Sequence, residues 1–238
     1  MPDHDLKQHK SSQENKQQEQ ELRFVAAQLA CPSGEAGLGV GDKMNELNRF
    51  MTGKTIEALS VTKGECVVEI GPGNGVLSEP VLQALGTEGH YWALEKSQLM
   101  AAELQQRFIS APCHVHVKSA DCLHVHLDAD SVDALMAVNV LYFIDDLPAF
   151  FRHIYTWLKP GARVVWGVRS DTALKNAAFT KYGFNIRRSD EIKMLMEEAG
   201  FSSVKSRLYD EGAVAFGETT LDVDCVIICA EKPGLDAG

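Results

Sequence analysis

The chain has 238 residues, enough for one well-buried domain with appendages and too few for two large ones. Its 33 acidic and 23 basic side chains leave a net charge of −10, and the one dense cationic pair is Arg187-Arg188. That balance argues against nucleic-acid phosphate as the main partner, because phosphate binding rests on clustered Lys and Arg. No apolar run approaches the roughly 18 residues of a membrane span, the start of the chain is polar, and the six cysteines form no CxxC pair. The expectation is a cytoplasmic protein with reduced thiols and no membrane contact.

Residues 1–21 are Gln, Glu, Lys and Ser with almost no apolar side chain to offset the entropy of ordering them, so a disordered tail is expected. From Leu22 an apolar face appears (Phe24, Val25, Ala27, Leu29), followed by a stretch over 31–39 whose Pro and Gly content predicts a loop. Helical spacing returns over 42–60 with Asp42 as N-cap and Gly53 as a possible break. Residues 22–63 are too few to fold alone. Their apolar stripes need a surface to cover, so a helical cap over the ligand-bearing edge of a sheet is expected, with the main domain over 64–238.

The main domain opens on Val67-Val68-Glu69-Ile70-Gly71-Pro72-Gly73-Asn74-Gly75, an apolar strand running into three glycines at alternate positions. Strand, Gly-rich turn and helix start in this order let a ligand approach main-chain N–H groups. A dinucleotide fingerprint wants a glycine at the sixth position, which here is Val76. The spacing Glu69-x-Gly71-x-Gly73-x-Gly75 instead resembles the first motif of class I S-adenosylmethionine-dependent methyltransferases, in particular the small-molecule type with a ubiquinone/menaquinone-methyltransferase-like domain.

That resemblance implies a Rossmann-like α/β fold: seven strands, mostly parallel with an antiparallel last strand, helices on both faces. It also implies an acidic residue about 20 positions past the turn for the ribose hydroxyls. His90–Glu95 reads as the second strand and ends in Glu95, followed by Lys96 and a helix capped by Ser97. After the short strand from Cys113 comes Ser119-Ala120-Asp121-Cys122, where the family places adenine: Asp121 would accept from N6 and the Cys122 N–H would donate to N1. Asp121 reads equally as the N-cap of a short helix starting at Cys122.

The fourth strand, 134–138, ends at Asn139, beside the switch point where the methionine part of the cofactor belongs. The sequel Val140-Leu141-Tyr142 is not the Asn-Pro-Pro-aromatic signature of nucleobase amino methyltransferases. A helix over 146–158 stops at Lys159-Pro160-Gly161, a phrase common in this family before the fifth strand, 163–168. Residues 169–187 form a variable insertion, a helix runs from Ser189 to a Gly200 cap, and 202–208 and 223–230 read as an antiparallel hairpin.

The resemblance gives S-adenosylmethionine as cofactor, held by Glu69, Gly71, Pro72, Gly73, Asn74, Gly75, Glu95, Lys96, Asp121, Cys122 and Asn139. A small-molecule methyl acceptor is expected near Asn48, Met51, Tyr142, Arg169 and Tyr182. The run 44–51 resembles a cap element that approaches the cofactor, or its methionines are helix packing. No catalytic residue is assigned; Tyr142, His153 and Tyr182 are conceivable bases, His153 on the solvated side of its helix. The His114/His116 and His124/His126 pairs lack a completing carboxylate or thiol, so no metal is expected. Cys31, Cys66 and Cys122 do not show the cysteine set usual for arsenic methylation. A cofactor-binding regulator without turnover, and an NAD-linked oxidoreductase, are the competing readings.

Overall fold

The computed structural model describes residues 3–216 and 219–234, with side chains over 13–213 and 223–234. The seven strands are β1 (Cys66–Ile70), β2 (His90–Glu95), β3 (His114–Ser119), β4 (Val132–Val138), β5 (Leu158–Val168), β6 (Ser202–Phe216) and β7 (Thr219–Glu231). They form one sheet in the order β3-β2-β1-β4-β5-β7-β6. The pairs among β1 to β5 are parallel, whereas β7 runs antiparallel to both β5 and β6. Strand order reverses between β1 and β4, which opens a crevice beyond their carboxyl ends.

Alternate residues of each central strand feed two cores, as period-two geometry requires. Val67, Ala134, Met136 and Val165 face one layer, completed by α2 (Gly34–Leu59), α3 (Glu79–Leu85) and α4 (Gln98–Arg107). Val68, Leu135, Val164 and Trp166 face the other, completed by α5 (Leu147–Tyr155) and α7 (Ser189–Glu198). A short helix, α6 (Asp171–Asn176), follows β5.

Several expectations need correction. Residues from Asp3 onward are drawn as α1 (Asp3–Ala30), a helix and not a disordered tail. Gln, Glu and Lys are good helix formers, and side-chain pairs such as Arg23 with Glu19 at 2.8 Å support a polar helix locally. The predicted loop over 31–39 shrinks to Cys31-Pro32-Ser33, and α2 runs unbroken through Gly53 with Ser33 at its N-cap position, leaving Asp42 inside the helix. The reason is close approach: a Cβ on Gly37 would lie 2.6 Å from Leu99 Cδ2, and one on Gly41 3.0 Å from Met100 Sδ. These glycines let α2 lie against α4. Pro160-Gly161 falls inside β5, because α5 has already ended at Tyr155; Gly161, at φ +81°, donates its N–H to Lys232 O at 2.8 Å.

The cap is also less separate than expected. Its second half is core, since Met51, Thr55 and Leu59 are fully buried against the sheet. A Cβ on Gly167 of β5 would stand 2.5 Å from Thr55 Oγ1 and 3.0 Å from Met51 Cγ. We expect Gly167→Ala to push α2 off the sheet at a cost of about 1–3 kcal/mol. A lowered urea midpoint would register it; an unchanged one would mean that α2 packs more loosely.

Candidate active site

The bend after β1 gathers backbone donors. Gly71, Gly73 and Gly75 all have φ between +63° and +77°, where a side chain is strained. They differ in what surrounds them. A Cβ on Gly75 would strike Leu104 Cδ2 at 2.5 Å and the Phe108 ring at 2.8 Å, so this glycine seats the turn on α4. A Cβ on Gly73 would meet nothing within 4 Å, because it faces a cavity bounded by Gly41, Asn45, Glu69, Gly71, Asn74 and Met100. Arg107 Nε ties the turn from behind through Asn74 O at 2.9 Å, while Asn74 Oδ1 accepts from Asn45 Nδ2 of α2 at 3.0 Å.

Two buried carboxylates flank the turn. Glu69 accepts from the Tyr91 hydroxyl at 2.6 Å and is 4% exposed; burial raises its pKa. Glu95, 6% exposed, accepts from Gly73 N at 2.9 Å and Ser97 N at 2.8 Å. Burial outweighs those bonds and pushes its carboxyl up to about 6. A carboxylate has about four acceptor sites, more than these backbone donors fill, which suits a vicinal diol.

Asp121 lies next along this edge. It caps the 3₁₀ turn Cys122–His124 through Leu123 N at 3.1 Å and pairs with Lys96 at 2.9 Å. The capping role is therefore real, and it leaves an adenine role as a separate question. The α1–α2 linker leans on the same edge: Ser97 Oγ donates to Pro32 O at 2.5 Å and accepts from Met100 N at 3.2 Å. Ser97→Ala removes the cap of α4 and the anchor of the linker together. We expect a loss of about 0.5–2 kcal/mol, read as a lower thermal midpoint.

Beyond β4 the crevice widens into an apolar chamber of about 140 Å³. Leu29, Met44, Leu47, Phe143, Leu174, Phe179, Phe184 and Val223 line it, with Asn48, Asn139, Tyr142 and Arg169 as its polar members. Met44 and Asn48 border both this chamber and the cavity at the glycine turn, so the two adjoin. Asn139, in the left-handed region at φ +58°, donates to Asn48 Oδ1 at 2.8 Å and accepts from the Tyr142 hydroxyl. Tyr142 also accepts from Arg169 N at 3.2 Å and stacks on Phe184 at 5.6 Å. Its hydroxyl is pushed well above the ordinary tyrosine value by burial. Burial thus opposes loss of its proton.

Among the expected acceptor residues, Asn48, Tyr142 and Arg169 meet in this chamber, whereas Met51 and Tyr182 do not. Met51 is core, one helical turn past Leu47 and pressed against Gly167. Tyr182 instead carries the Arg23 guanidinium 4.4 Å over its ring. His153 is half-buried: its Nε2 sits 2.8 Å from Val125 O and its ring packs edge-on to Trp157. His114 and His116 share a face, as expected, and stack with His90 and Trp92. Among the described residues no group of three or more His, Cys, Asp or Glu is arranged for a metal ion.

Sequence reading places the acceptor pocket between the cap and the 169–187 insertion, the segments that carry Leu29, Asn45, Ala177, Phe179 and Phe184, but it does not single these out as cavity walls and misses Phe143. Only the aromatic content of the insertion hinted at them.

Comparison with known proteins agrees with this geometry. The family model described as a methyltransferase domain matches residues 67–161. Phosphoethanolamine N-methyltransferase 1 of Arabidopsis thaliana is 27% identical over 159 residues, 64% of this chain and 32% of that protein. The arsenite methyltransferase of Halobacterium salinarum is 21% identical over 229 residues, 90% of this chain and 56% of that one. The chain thus spans about a third of the first of these relatives and about half of the second. A chain in the complex between the Haloferax volcanii Trm112 methyltransferase activator and the putative methyltransferase superposes with a TM-score of 0.70 at 15% identity, over 82% of this chain and 94% of that one. The glycine turn, the 3-2-1-4-5-7-6 sheet and the matched family model agree: residues 67–161 carry a methyltransferase domain of the S-adenosylmethionine-dependent kind.

Proposed function

We propose that the protein transfers a methyl group from S-adenosylmethionine to a small-molecule acceptor held in the chamber beneath α1 and α2. The observation that carries this reading is the adjacency of the two cavities: the cavity at the glycine turn with Glu69 and the apolar chamber share Met44 and Asn48 in their walls. When bound, the cofactor supplies an already activated methyl group on a sulfonium, so the chain's task is to bind, align and exclude water. Alignment of this kind is worth on the order of 7–11 kcal/mol of barrier.

The residues present suit that group. Gly73 leaves room for it, Glu95 offers acceptors for ribose hydroxyls, and Asp121 with the Cys122 N–H offers an acceptor and donor for adenine. Glu69, Pro72, Asn74 and Asn139 border the methionine side, and Lys96 fixes Asp121. Asn48, Asn139 and Tyr142 form one polar strip across the junction of the cavities, positioned to orient the acceptor. Among the described residues that line the chamber none is Asp, Glu, His or Lys. The acceptor atom must therefore be nucleophilic as bound or lose its proton to water.

The relatives act, by their names, on phosphoethanolamine and arsenite. No cysteine lines the chamber here, which disfavours arsenite. Isothermal titration with S-adenosylhomocysteine and NAD tests the cofactor, with binding of the first only expected. Preference for NAD would overturn the reading, and product formation from a metabolite panel separates an enzyme from a regulator that binds without turnover.

A further inference from the structure

Among the described residues that line the chamber there is one cation, Arg169, and its charge is already spent. A guanidinium in an apolar pocket usually marks an anionic ligand group. Here Arg169 Nη1 meets Glu211 Oε1 at 2.5 Å and Asp224 O at 2.8 Å, while Nη2 meets Leu47 O at 2.8 Å. The pair is enclosed, with side chains 12% and 6% exposed, so solvent hardly screens it.

Glu211 reaches this position because of a defect in the hairpin. β6 pairs with β7 at Asp210↔Asp224 and again at Gly212↔Val223, which leaves Glu211 as the extra, unpaired residue of a bulge. Gly212, at φ +75°, completes it, its N–H bonded to Asp210 Oδ1 at 2.8 Å. A bulge re-aims the side chain it carries, and this one is turned onto Arg169.

We infer that Glu211 sets the charge selectivity of the acceptor site: by neutralising Arg169 it makes the chamber a receptor for uncharged, largely apolar molecules and bars phosphomonoesters and carboxylates. This rests on the proposed function and deepens it. A phosphomonoester carries about −1.5 to −2 charges at neutral pH. Entering the chamber, it would meet no unpaired lining cation, and Glu211 behind Arg169 would repel it. Apart from Asn48, Asn139 and the Tyr142 hydroxyl the remaining wall is aliphatic and aromatic, and Phe143 and Phe184 pack at 4.7 Å into a surface that a neutral hydrophobic molecule would cover.

The test uses the full chain and calorimetric titration of three probes, 2-naphthol, 2-naphthoate and phosphoethanolamine, with and without saturating S-adenosylhomocysteine. For the unaltered protein we expect 2-naphthol to bind at least about tenfold more tightly than 2-naphthoate, and phosphoethanolamine not to bind, since a buried unpaired charge is rejected by at least that factor. In Glu211→Gln, Arg169 regains its net charge and the naphthol-to-naphthoate ratio should fall about tenfold or more through tighter naphthoate binding. Ala177→Trp, which fills the chamber away from the glycine turn, should abolish naphthol binding and leave S-adenosylhomocysteine affinity unchanged.

Equal or tighter binding of either anion by the unaltered protein overturns the inference, as does failure of naphthol to bind. An unchanged ratio in folded Glu211→Gln, or naphthol binding that survives Ala177→Trp, does so too. If Glu211→Gln fails to fold, the ratio in the unaltered protein decides alone. Failure of S-adenosylhomocysteine to bind sinks the proposed function instead, while the probe ratio measured without it still reports on the charge of the chamber.

Discussion

Gly73→Val is expected to abolish S-adenosylhomocysteine binding while leaving the protein folded, and Gly75→Val, two residues on, is expected to remove a large part of its stability. Both glycines are left-handed, at φ +63° and +77°, so each substitution pays a backbone penalty of about 1–2 kcal/mol. The difference lies in what the new side chain meets. At Gly73 there is open space within 4 Å, and that space is the cavity itself, so a valine would fill the place the cofactor needs without touching the core. At Gly75 the first added carbon would lie 2.5 Å from Leu104 and 2.8 Å from Phe108, which adds overpacking of about 1–3 kcal/mol or more. Domains of this size are stable by only about 5–15 kcal/mol. Circular dichroism with calorimetric titration separates the outcomes. A folded Gly73→Val that still binds would remove the cofactor from the turn.

The second large effect is a pair of opposed pH dependences at Glu95. Burial holds its carboxyl at about 6, above the ordinary 4.5. Between those values the folded protein binds the proton more tightly than the unfolded chain does. Stability from this group is therefore full below about 4.5 and is lost as pH rises through about 6. The span corresponds to about 2 kcal/mol at 1.36 kcal/mol per unit. Cofactor affinity should run the other way: in the proposed site ribose hydroxyls donate to the ionised carboxylate, so the dissociation constant is expected to rise as pH falls below about 6, approaching tenfold per unit. Glu95→Gln should flatten both curves, and Glu95→Ala should weaken S-adenosylhomocysteine binding by about 1–3 kcal/mol at neutral pH. Urea midpoints and titrations across pH 4.5 to 7, taken as differences from Glu95→Gln, isolate this group; parallel slopes would contradict the assignment.

The legible parts of this protein were those written in short stretches of chain. The turn at 71–75, the Glu95 strand end, the Ser97 cap and the antiparallel hairpin each follow from a few neighbouring residues, because dihedral preference, capping and period-two alternation act over one or two turns of backbone. Composition misled where two local effects compete: residues 3–21 are poor in apolar side chains and rich in helix formers, and the structure draws the helix. Likewise the glycines of 34–41 read as a loop, although their small size serves the contact with Leu99 and Met100.

What tertiary structure alone decided is the acceptor chamber and its charge. Leu29, Asn48, Tyr142, Arg169, Phe184 and Val223 come from five separate segments, and nothing in the spacing along the chain encodes which of them share a wall. Met51 and Leu47 lie on one helix, yet the crossing of α2 over Gly167 buries Met51 and leaves Leu47 at the cavity. Most of all, the approach of Glu211 to Arg169 depends on a one-residue shift of register between β6 and β7, which turns a side chain from one face of a strand to the other. Local sequence determines which elements form and where they bend. Contacts across more than 40 residues of chain, such as this pair, are determined only when the sheet closes.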